Sequence, residues 1–309
     1  MSGNWELLDD ISRRLEDAGI ASPDADASIL VDEMVARFGE DLDRCDRGVL
    51  DALVERRLRR EPLQLVVGHT TFRWVRVPCR RGVFIPRPET EIVAGVAIDE
   101  ARSLGRPALV VEPCTGSGAI AMAVASEVPR ANVIASDASR AAVTLARENV
   151  ERLVARPIPT PWTPGDHLAP EARLAVAPGR DLDGLPAKLQ GRVDVLVSNP
   201  PYLPASDRGT WDPEVADHDP DRALVGGEDG HEVVDRFLGL AMDWLRPGGL
   251  VVLEIDDRRG EDARAAATDV GLVDVDLVRD LTGRDRAVRG RRPTTSTPTP
   301  FTPPPEEST

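Results

Sequence analysis

The sequence predicts an α/β fold: a doubly wound sheet of mostly parallel strands behind a small helical N-terminal domain. Three observations predict it. From about residue 86 onward, short apolar runs alternate with amphipathic segments, the rhythm of β-α units and a parallel sheet. One unit joins its strand to its helix through a glycine turn, in "VVEPCTGSGAIAMAVA". The first sixty residues, by contrast, carry helical spacing throughout.

Taken in order, Leu7, Leu8, Ile11 and Leu15 recur at helical spacing and Gly19 ends that helix. "SPDADASILVDEMVARFG" starts a second helix with Ser22 as N-cap and Pro23 at the first helical position, and Gly39 stops it. "GVLDALVERRLRR" is a third, whose Arg56, Arg57, Arg59 and Arg60 could contact a partner but read rather as a solvated face. "GHTTFRWVRVP" alternates and predicts a strand or hairpin, a linker over residues 69–85. A helix from Glu89 to Arg102, strand "ALVVEP", a helix after the glycine turn, strand "NVIASD" and helix "SRAAVTLARENVERL" follow. Residues 155–180 break the rhythm with many prolines, and part of this stretch predicts a surface insertion. Strand "VDVLVSN" resumes the sheet, and a helix around "GHEVVDRFLGLAMDWL" leads through a turn into "GLVVLEI". "EDARAAATDVG" is a helix, and "LVDVDLVRD" with "RAVRGR" predicts an antiparallel edge pair. The Pro/Thr-rich tail, 293–309, is expected to be disordered. The expected division is therefore 1–68 helical, 69–85 linker, 86–292 α/β domain and 293–309 tail.

Composition narrows the function classes. The 309-residue chain has 53 acidic against 38 basic residues, a net charge of −15. An acidic chain is a poor default binder of nucleic acid, whose phosphates reward Lys and Arg. Cys45, Cys79 and Cys114 are scattered and odd in number, with neither disulfide nor zinc spacing, which fits a reducing cytoplasm. The N-terminus lacks an apolar signal region, and no apolar run approaches the roughly 20 residues of a membrane span.

Two constellations carry chemistry. Gly116 and Gly118 let the backbone turn tightly and approach a ligand, and the helix behind them offers free N–H groups to an anion. About nineteen residues after Gly118, Asp137 ends the next apolar strand, where a carboxylate can accept both ribose hydroxyls. Together they point to an adenosine-containing ligand. NAD and S-adenosylmethionine both qualify, although the full GxGxxG spacing of NAD sites is missing. The second constellation is Asn199-Pro200-Pro201-Tyr202, at the end of a strand and so at the ligand edge of such a sheet. The Asn199 oxygen can accept from a substrate NH₂. The two prolines stiffen the turn and aim the Pro200 carbonyl at a second N–H, and Tyr202 offers a flat ring. The set is a clamp for a planar amide or amine.

At these residues the chain strongly resembles the HemK/PrmC family of protein-glutamine N5-methyltransferases, over about residues 5–292. The resemblance includes "EPLQLVVGHTTF", "FIPRPETE", "EPCTGSGAIA", "SNPPYLP", "DHDPDRALVGGEDG", "LRPGGLVVLEI" and "RDLTGRDRAV". It implies a Rossmann-like class I S-adenosylmethionine-dependent methyltransferase. The family methylates the side-chain amide of the glutamine in the GGQ motif of class I peptide chain release factors, a step in translation termination, and needs no metal. By position, Glu112, Cys114, Thr115, Gly116, Ser117 and Gly118 would line the methionine end of the cofactor and Asp137 would hold its ribose. Asp181 and Leu182 would lie near the adenine. Asn199, Pro200 and Pro201 would hold the glutamine with Tyr202 packed on it, Asn199 would also contact the cofactor, and Pro86 and Thr90 would close over the cofactor. The helical domain would help dock the release factor. Neither a membrane nor nucleic acid is implied as a partner.

Three departures stand out: Glu112-Pro113-Cys114 where the family usually has Asp-x-Gly, Leu182 where an aromatic is common, and the insertion and tail. Three other readings stay open: glutamine methylation of another protein such as ribosomal protein L3, an adenine or cytosine amino-methyltransferase, which uses a similar tetrapeptide, and a release-factor-binding module with a decayed cofactor site.

Overall fold

The computed structural model describes residues 3–39, 44–154 and 173–294. Four helices open the chain: α1 (Gly3–Asp17), α2 (Pro23–Phe38), α3 (Arg44–Leu58) and α4 (Leu63–Val67). Ile11 and Leu15 of α1, Leu30 and Met34 of α2, and Leu50 and Val54 of α3 meet in a core of their own. Pro23 does start α2 and Gly39, at φ 96°, ends it, but the Ser22 side chain makes no capping bond.

Of the four arginines read as a solvated face, Arg59 is exposed but Arg56 and Arg57 are engaged within the fold. Arg57 is 5% exposed. Its Nε donates to Asp26 of α2 at 2.6 Å, and its Nη1 lies 2.8 Å from Glu214, far along the chain. Arg56 grips Glu61 at 2.7 and 2.9 Å and also donates to two backbone carbonyls near α4. Arg56, with Arg81, holds the Glu61 carboxyl down to about 2 against the desolvation that opposes it. Helical periodicity tells which side of a helix is polar; it does not tell what packs there.

The hairpin is β1 (His69–Phe72) and β2 (Val75–Pro78), antiparallel, with Phe72 paired to Val75 so that Arg73 and Trp74 form the turn. Phe72 and Val77 face the core, and Trp74 projects outward. Arg73 ion-pairs with Glu127, which pins the hairpin to the next domain.

That domain is built on β3 (Leu109–Pro113), β4 (Asn132–Asp137), β5 (Leu174–Pro178), β6 (Val193–Ser198), β7 (Leu245–Glu254), β8 (Val273–Arg279) and β9 (Asp285–Arg291). Their order in one sheet is β5-β4-β3-β6-β7-β9-β8, parallel from β5 to β7, with β9 antiparallel to both neighbours. The expected doubly wound sheet and its antiparallel edge pair are both present. Five helices flank it: α5 (Thr90–Ser103), α6 (Ala119–Glu127), α7 (Arg140–Val154), α10 (Glu232–Trp244) and α11 (Gly260–Asp269). Two short ones, α8 (Pro213–Ala216) and α9 (Asp221–Leu224), lie in the connection after β6.

Strand alternation divides the core in two. Val110, Val133, Val195, Val197 and Val252 face α5 and α6, whereas Val111, Leu196, Val251 and Leu253 face α10 and α11. Central strands covered on both faces must read as continuous apolar runs, and β6 does, apart from buried Asp194. That carboxylate receives Arg106, Arg246 and the Leu109 amide, so its charge is compensated at the sheet's far edge.

The expected insertion is narrower than its range. β5 falls inside the range read as a surface insertion. It pairs in parallel with β4 from Leu174 to Pro178 and forms the sheet's edge. Its proline-rich neighbourhood hid it, yet an edge strand tolerates a proline because one side of its ladder is unpaired. The remainder of that insertion, 155–172, lies outside the described residues, as does the tail from 295. No described helix is long and apolar enough to cross a membrane.

Removing one partner of a buried, hydrogen-bonded ion pair leaves the other charge uncompensated. Arg57→Ala should therefore lower the unfolding free energy by about 3–5 kcal/mol in urea denaturation. A loss below about 1 kcal/mol, the range of exposed pairs, would refute the bridging role.

Candidate active site

The chain leaves β3 towards β4 and β5 but builds β6 and β7 on the other side. Where the strand order reverses, the two connections part and open a crevice above the carboxyl ends of the strands. A cavity of about 390 Å³ fills it. At its floor, the Ser198 hydroxyl donates to the Pro113 carbonyl at 2.6 Å and fastens β6 to β3.

The glycine turn forms one wall. Gly116 and Gly118 sit at φ 57° and 85°, in the region that favours glycine. Gly118 also packs on helix α7, where a Cβ would lie 3.4 Å from that of Ala146. Cys114 occupies the same left-handed region at φ 57°, which explains in backbone terms why glycine suits this position. Burial, with Asp137 and Asp181 nearby, pushes its thiol well above the usual range. A thiol held protonated is no nucleophile.

Glu112 ends β3, 2% exposed, and accepts from the Thr115 hydroxyl at 2.7 Å and the Ala121 amide at 2.9 Å. Burial still raises it to about 8. Asp137 ends β4. Its two oxygens receive the amides of Ser139 and Gly116 at 2.7 and 2.9 Å. A carboxylate offers about four acceptor sites, so two remain for ligand hydroxyls. Asp181, at φ 58°, accepts from Arg236 of α10 at 2.9 Å.

The other wall is the segment after β6. Asn199 donates its Nδ2 to the Thr90 hydroxyl at 3.0 Å, and the Tyr202 hydroxyl donates to Glu254, at the end of β7, at 3.1 Å. Burial raises Glu254 to about 7. The tetrapeptide turn is covered by residues 224–230: Leu203 donates to the Leu224 carbonyl and Gly226 to the Leu203 carbonyl. A Cβ on Gly226 would lie 2.5 Å from the Pro201 oxygen, and one on Gly230 2.4 Å from the Tyr202 oxygen. Only glycine allows so close a cover. Asp219, buried, accepts from the Ile85 amide and holds Arg87 at 2.5 Å, which locks the segment onto residues 85–87.

Most of the residues singled out by sequence come together. From the strand ends and glycine turn, Glu112, Cys114, Thr115, Gly116, Ser117, Asp137 and Asp181 line the cavity; Pro86, Thr90, Asn199 and Pro201 line it from the opposite side. Gly118 acts behind the wall through packing. Pro200 and Tyr202 instead line a separate small hollow of about 30 Å³, together with Phe84 and Asn199; Phe84 and Asn199 border both spaces. Leu182 does not reach the cavity. It is 1% exposed and packs in the core with Val111 and Leu196, so it lines no ligand space.

Sequence reasoning missed Phe84, Arg222 and Arg236 on the cavity wall, and Asp219 and Glu254 behind it. Glu254 had a legible signal: like Glu112, Asp137 and Asn199, it is a polar residue ending an apolar strand. Among the described residues, no group of three or more His, Cys, Asp or Glu is placed to hold a metal ion.

Comparison with known proteins adds the following. Residues 6–68 match the family model of the PrmC N-terminal domain. The chain is 40% identical over 258 residues to the release factor glutamine methyltransferase of Streptomyces coelicolor, covering 81% of this chain and 83% of that one. It is 36% identical to that of Bifidobacterium longum, covering 90% and 96%, and 40% identical to that of Mycolicibacterium smegmatis, covering 86% and 89%. Among solved structures it is 23% identical, with a TM-score of 0.39, to the release-factor-specific protein-(glutamine-N5) methyltransferase of Alicyclobacillus acidocaldarius, covering 68% of this chain and 94% of that one.

A left-handed backbone costs an L-residue about 1–2 kcal/mol, less the entropy that glycine gives up. Cys114→Gly should therefore exceed Cys114→Ala in stability by about 1 kcal/mol in denaturant titration. Equal stabilities would mean that the turn relaxes around position 114.

Proposed function

The chain belongs to the release factor glutamine methyltransferase family, and we propose that it transfers a methyl group from S-adenosyl-L-methionine to the side-chain amide nitrogen (N5) of the GGQ glutamine in class I peptide chain release factors. The observation that carries this reading is the placement of Asn199. It stands at the border between the large cavity and the small hollow, beside the glycine turn of β3.

The cavity fits such a cofactor in size and charge. Pockets for ligands of this class span roughly 300–1,000 Å³. Burial is the main reason the Cys114 thiol is raised; Asp137 and Asp181 add to it and Arg236 opposes it, so the carboxylates on this wall are the groups that would favour a cation. Asp137 keeps two free acceptor sites for ribose hydroxyls, and the first turn of α6 offers amides to a carboxylate. Asp181 would face the adenine. S-adenosylmethionine supplies an electrophilic methyl group on a sulfonium.

The protein's own task is positioning. An amide nitrogen is a poor nucleophile, because its lone pair is shared with the carbonyl. Asn199 Oδ1 accepts one N–H of the glutamine amide, and the Pro200 carbonyl accepts the other. Both protons are then held in one plane and the nitrogen faces the cavity. As the nitrogen gives up electron density its protons become more acidic, so both acceptors bind them more strongly in the transition state than before it, and one of the two leaves to solvent once the N–C bond has formed and the methyl–sulfur bond has broken. Tyr202 and Phe84 border the hollow that takes the planar group. Positioning of this kind contributes roughly 7–11 kcal/mol in favourable cases.

Residues 1–68 would dock the release factor, 69–85 would span the two parts, and 86–292 would catalyse. With a release factor as substrate, the reaction belongs in the cytoplasm, and neither membrane nor nucleic acid takes part.

Incubation with a recombinant release factor and cofactor should add one methyl group, which mass mapping places on the GGQ glutamine. Asn199→Ala should lower kcat by about 100-fold or more while calorimetry shows cofactor affinity within about threefold of wild type. Methylation of ribosomal protein L3 or of a DNA base in place of the release factor would overturn the substrate assignment, and wild-type turnover in Asn199→Ala would overturn the mechanism.

A further inference from the structure

An asparagine side chain can present either its oxygen or its NH₂ to a ligand, and only the oxygen serves a substrate amide that must be held by its protons. We propose that Glu254, acting through Thr90, is a positioning residue that fixes the Asn199 amide with its oxygen towards the substrate. This rests on the function proposed above and names what sets the polarity of its central residue.

The geometry places the three side chains in one buried row. Ser198 pairs with Leu253 across the parallel β6–β7 ladder, so the register brings Asn199 and Glu254 out side by side. Thr90, 4% exposed at the start of α5, lies against both. Its oxygen accepts from Asn199 Nδ2 at 3.0 Å. Having accepted there, the hydroxyl must send its own proton elsewhere. Glu254 is 2% exposed, and its Oε2 has no partner at ordinary hydrogen-bond distance and angle. An uncommitted donor and an uncommitted acceptor thus share the same closed space, and Thr90 is the strongest influence favouring the ionised form of Glu254. The Tyr202 hydroxyl already occupies Oε1 at 3.1 Å.

A carboxylate only accepts. While Glu254 is ionised, both Thr90 and Tyr202 must donate to it, Thr90 can only accept from Asn199, and Asn199 must turn its NH₂ inward and its oxygen to the substrate. Protonation of Glu254 lifts this constraint. Its new O–H can donate to Thr90, Thr90 can then donate to Asn199, and the amide is free to turn its NH₂ outward. The groups that face this carboxyl are Thr90 and Tyr202, with Glu89 raising it and Arg286 lowering it; burial dominates and brings it to about 7. Activity is therefore complete above this pH and falls as the pH drops through it.

The test measures kcat on a release factor, cofactor affinity by calorimetry, and the pH profile of kcat from about pH 8 to about pH 6. Thr90→Val, which keeps the shape and removes the hydroxyl, should lower kcat at least about tenfold with cofactor affinity within about threefold of wild type. Thr90→Ser should recover most of it. The acid limb of the wild-type profile should vanish in Thr90→Val and in Glu254→Gln alike. Should Glu254→Gln not fold, the two Thr90 variants decide alone. Wild-type kcat in Thr90→Val, a Thr90→Ser variant as impaired as Thr90→Val, a parallel loss of cofactor affinity, or a persisting acid limb would each overturn the relay. Absence of release-factor methylation by the wild-type enzyme would instead sink the functional reading itself.

Discussion

Everything at the site follows from the reversal of strand order between β3 and β6. A parallel sheet covered on both faces admits only apolar side chains along its strands, so polar groups are expelled to the strand ends. The reversal then leaves the carboxyl ends of two adjacent strands without a connection lying over them. Glu112, Asp137, Asn199 and Glu254 stand at or beside the carboxyl ends of four strands, and the sheet spaces them around one opening. The hydrogen bond from Ser198 to Pro113 keeps the two sides at fixed separation. Without that bond the floor of the crevice would hold a buried hydroxyl with an unmet donor.

The cover over this opening is a second, independent piece of construction. It consists of residues 199–231, which carry little regular structure of their own. The glycines press on the tetrapeptide backbone from within it. Asp219 on Arg87 and the Ile85 amide, Asn199 on Thr90, Tyr202 on Glu254 and Glu214 on Arg57 tie it to other parts of the chain. The substrate-facing turn is thereby tied at once to the segment after the hairpin and to the N-terminal helices.

Much of this was legible in the sequence, for physical reasons that can be named. β3, β4, β6 and β7 announce themselves because both of their faces are buried, so nearly every residue must be apolar. The site residues at their ends are visible by contrast with those runs. β5 was not legible, because an edge strand has one exposed side and tolerates Pro178, which erases both signals. The direction of the Leu182 side chain was not legible, because matching a motif does not tell which way a side chain points; Asp181 lines the cavity while Leu182 fills the core. Arg57 was misread because an arginine on a helix is normally solvated, and only the tertiary approach of Asp26 and Glu214 makes burial tolerable. Thr90 was found for its place in a motif, whereas its hydrogen bond to Asn199 depends on a meeting of α5 and β6 that no local pattern encodes.

The Arg57 bridge also bears on how the molecule is made. The N-terminal helices leave the ribosome well before Glu214 has been synthesised. Until then, Arg57 can share its charge with Asp26 alone, and the small helical core must mature with a half-neutralised cation at its margin. The carboxylate that completes the charge balance of the first-made helices is therefore carried by the segment that shapes the substrate turn.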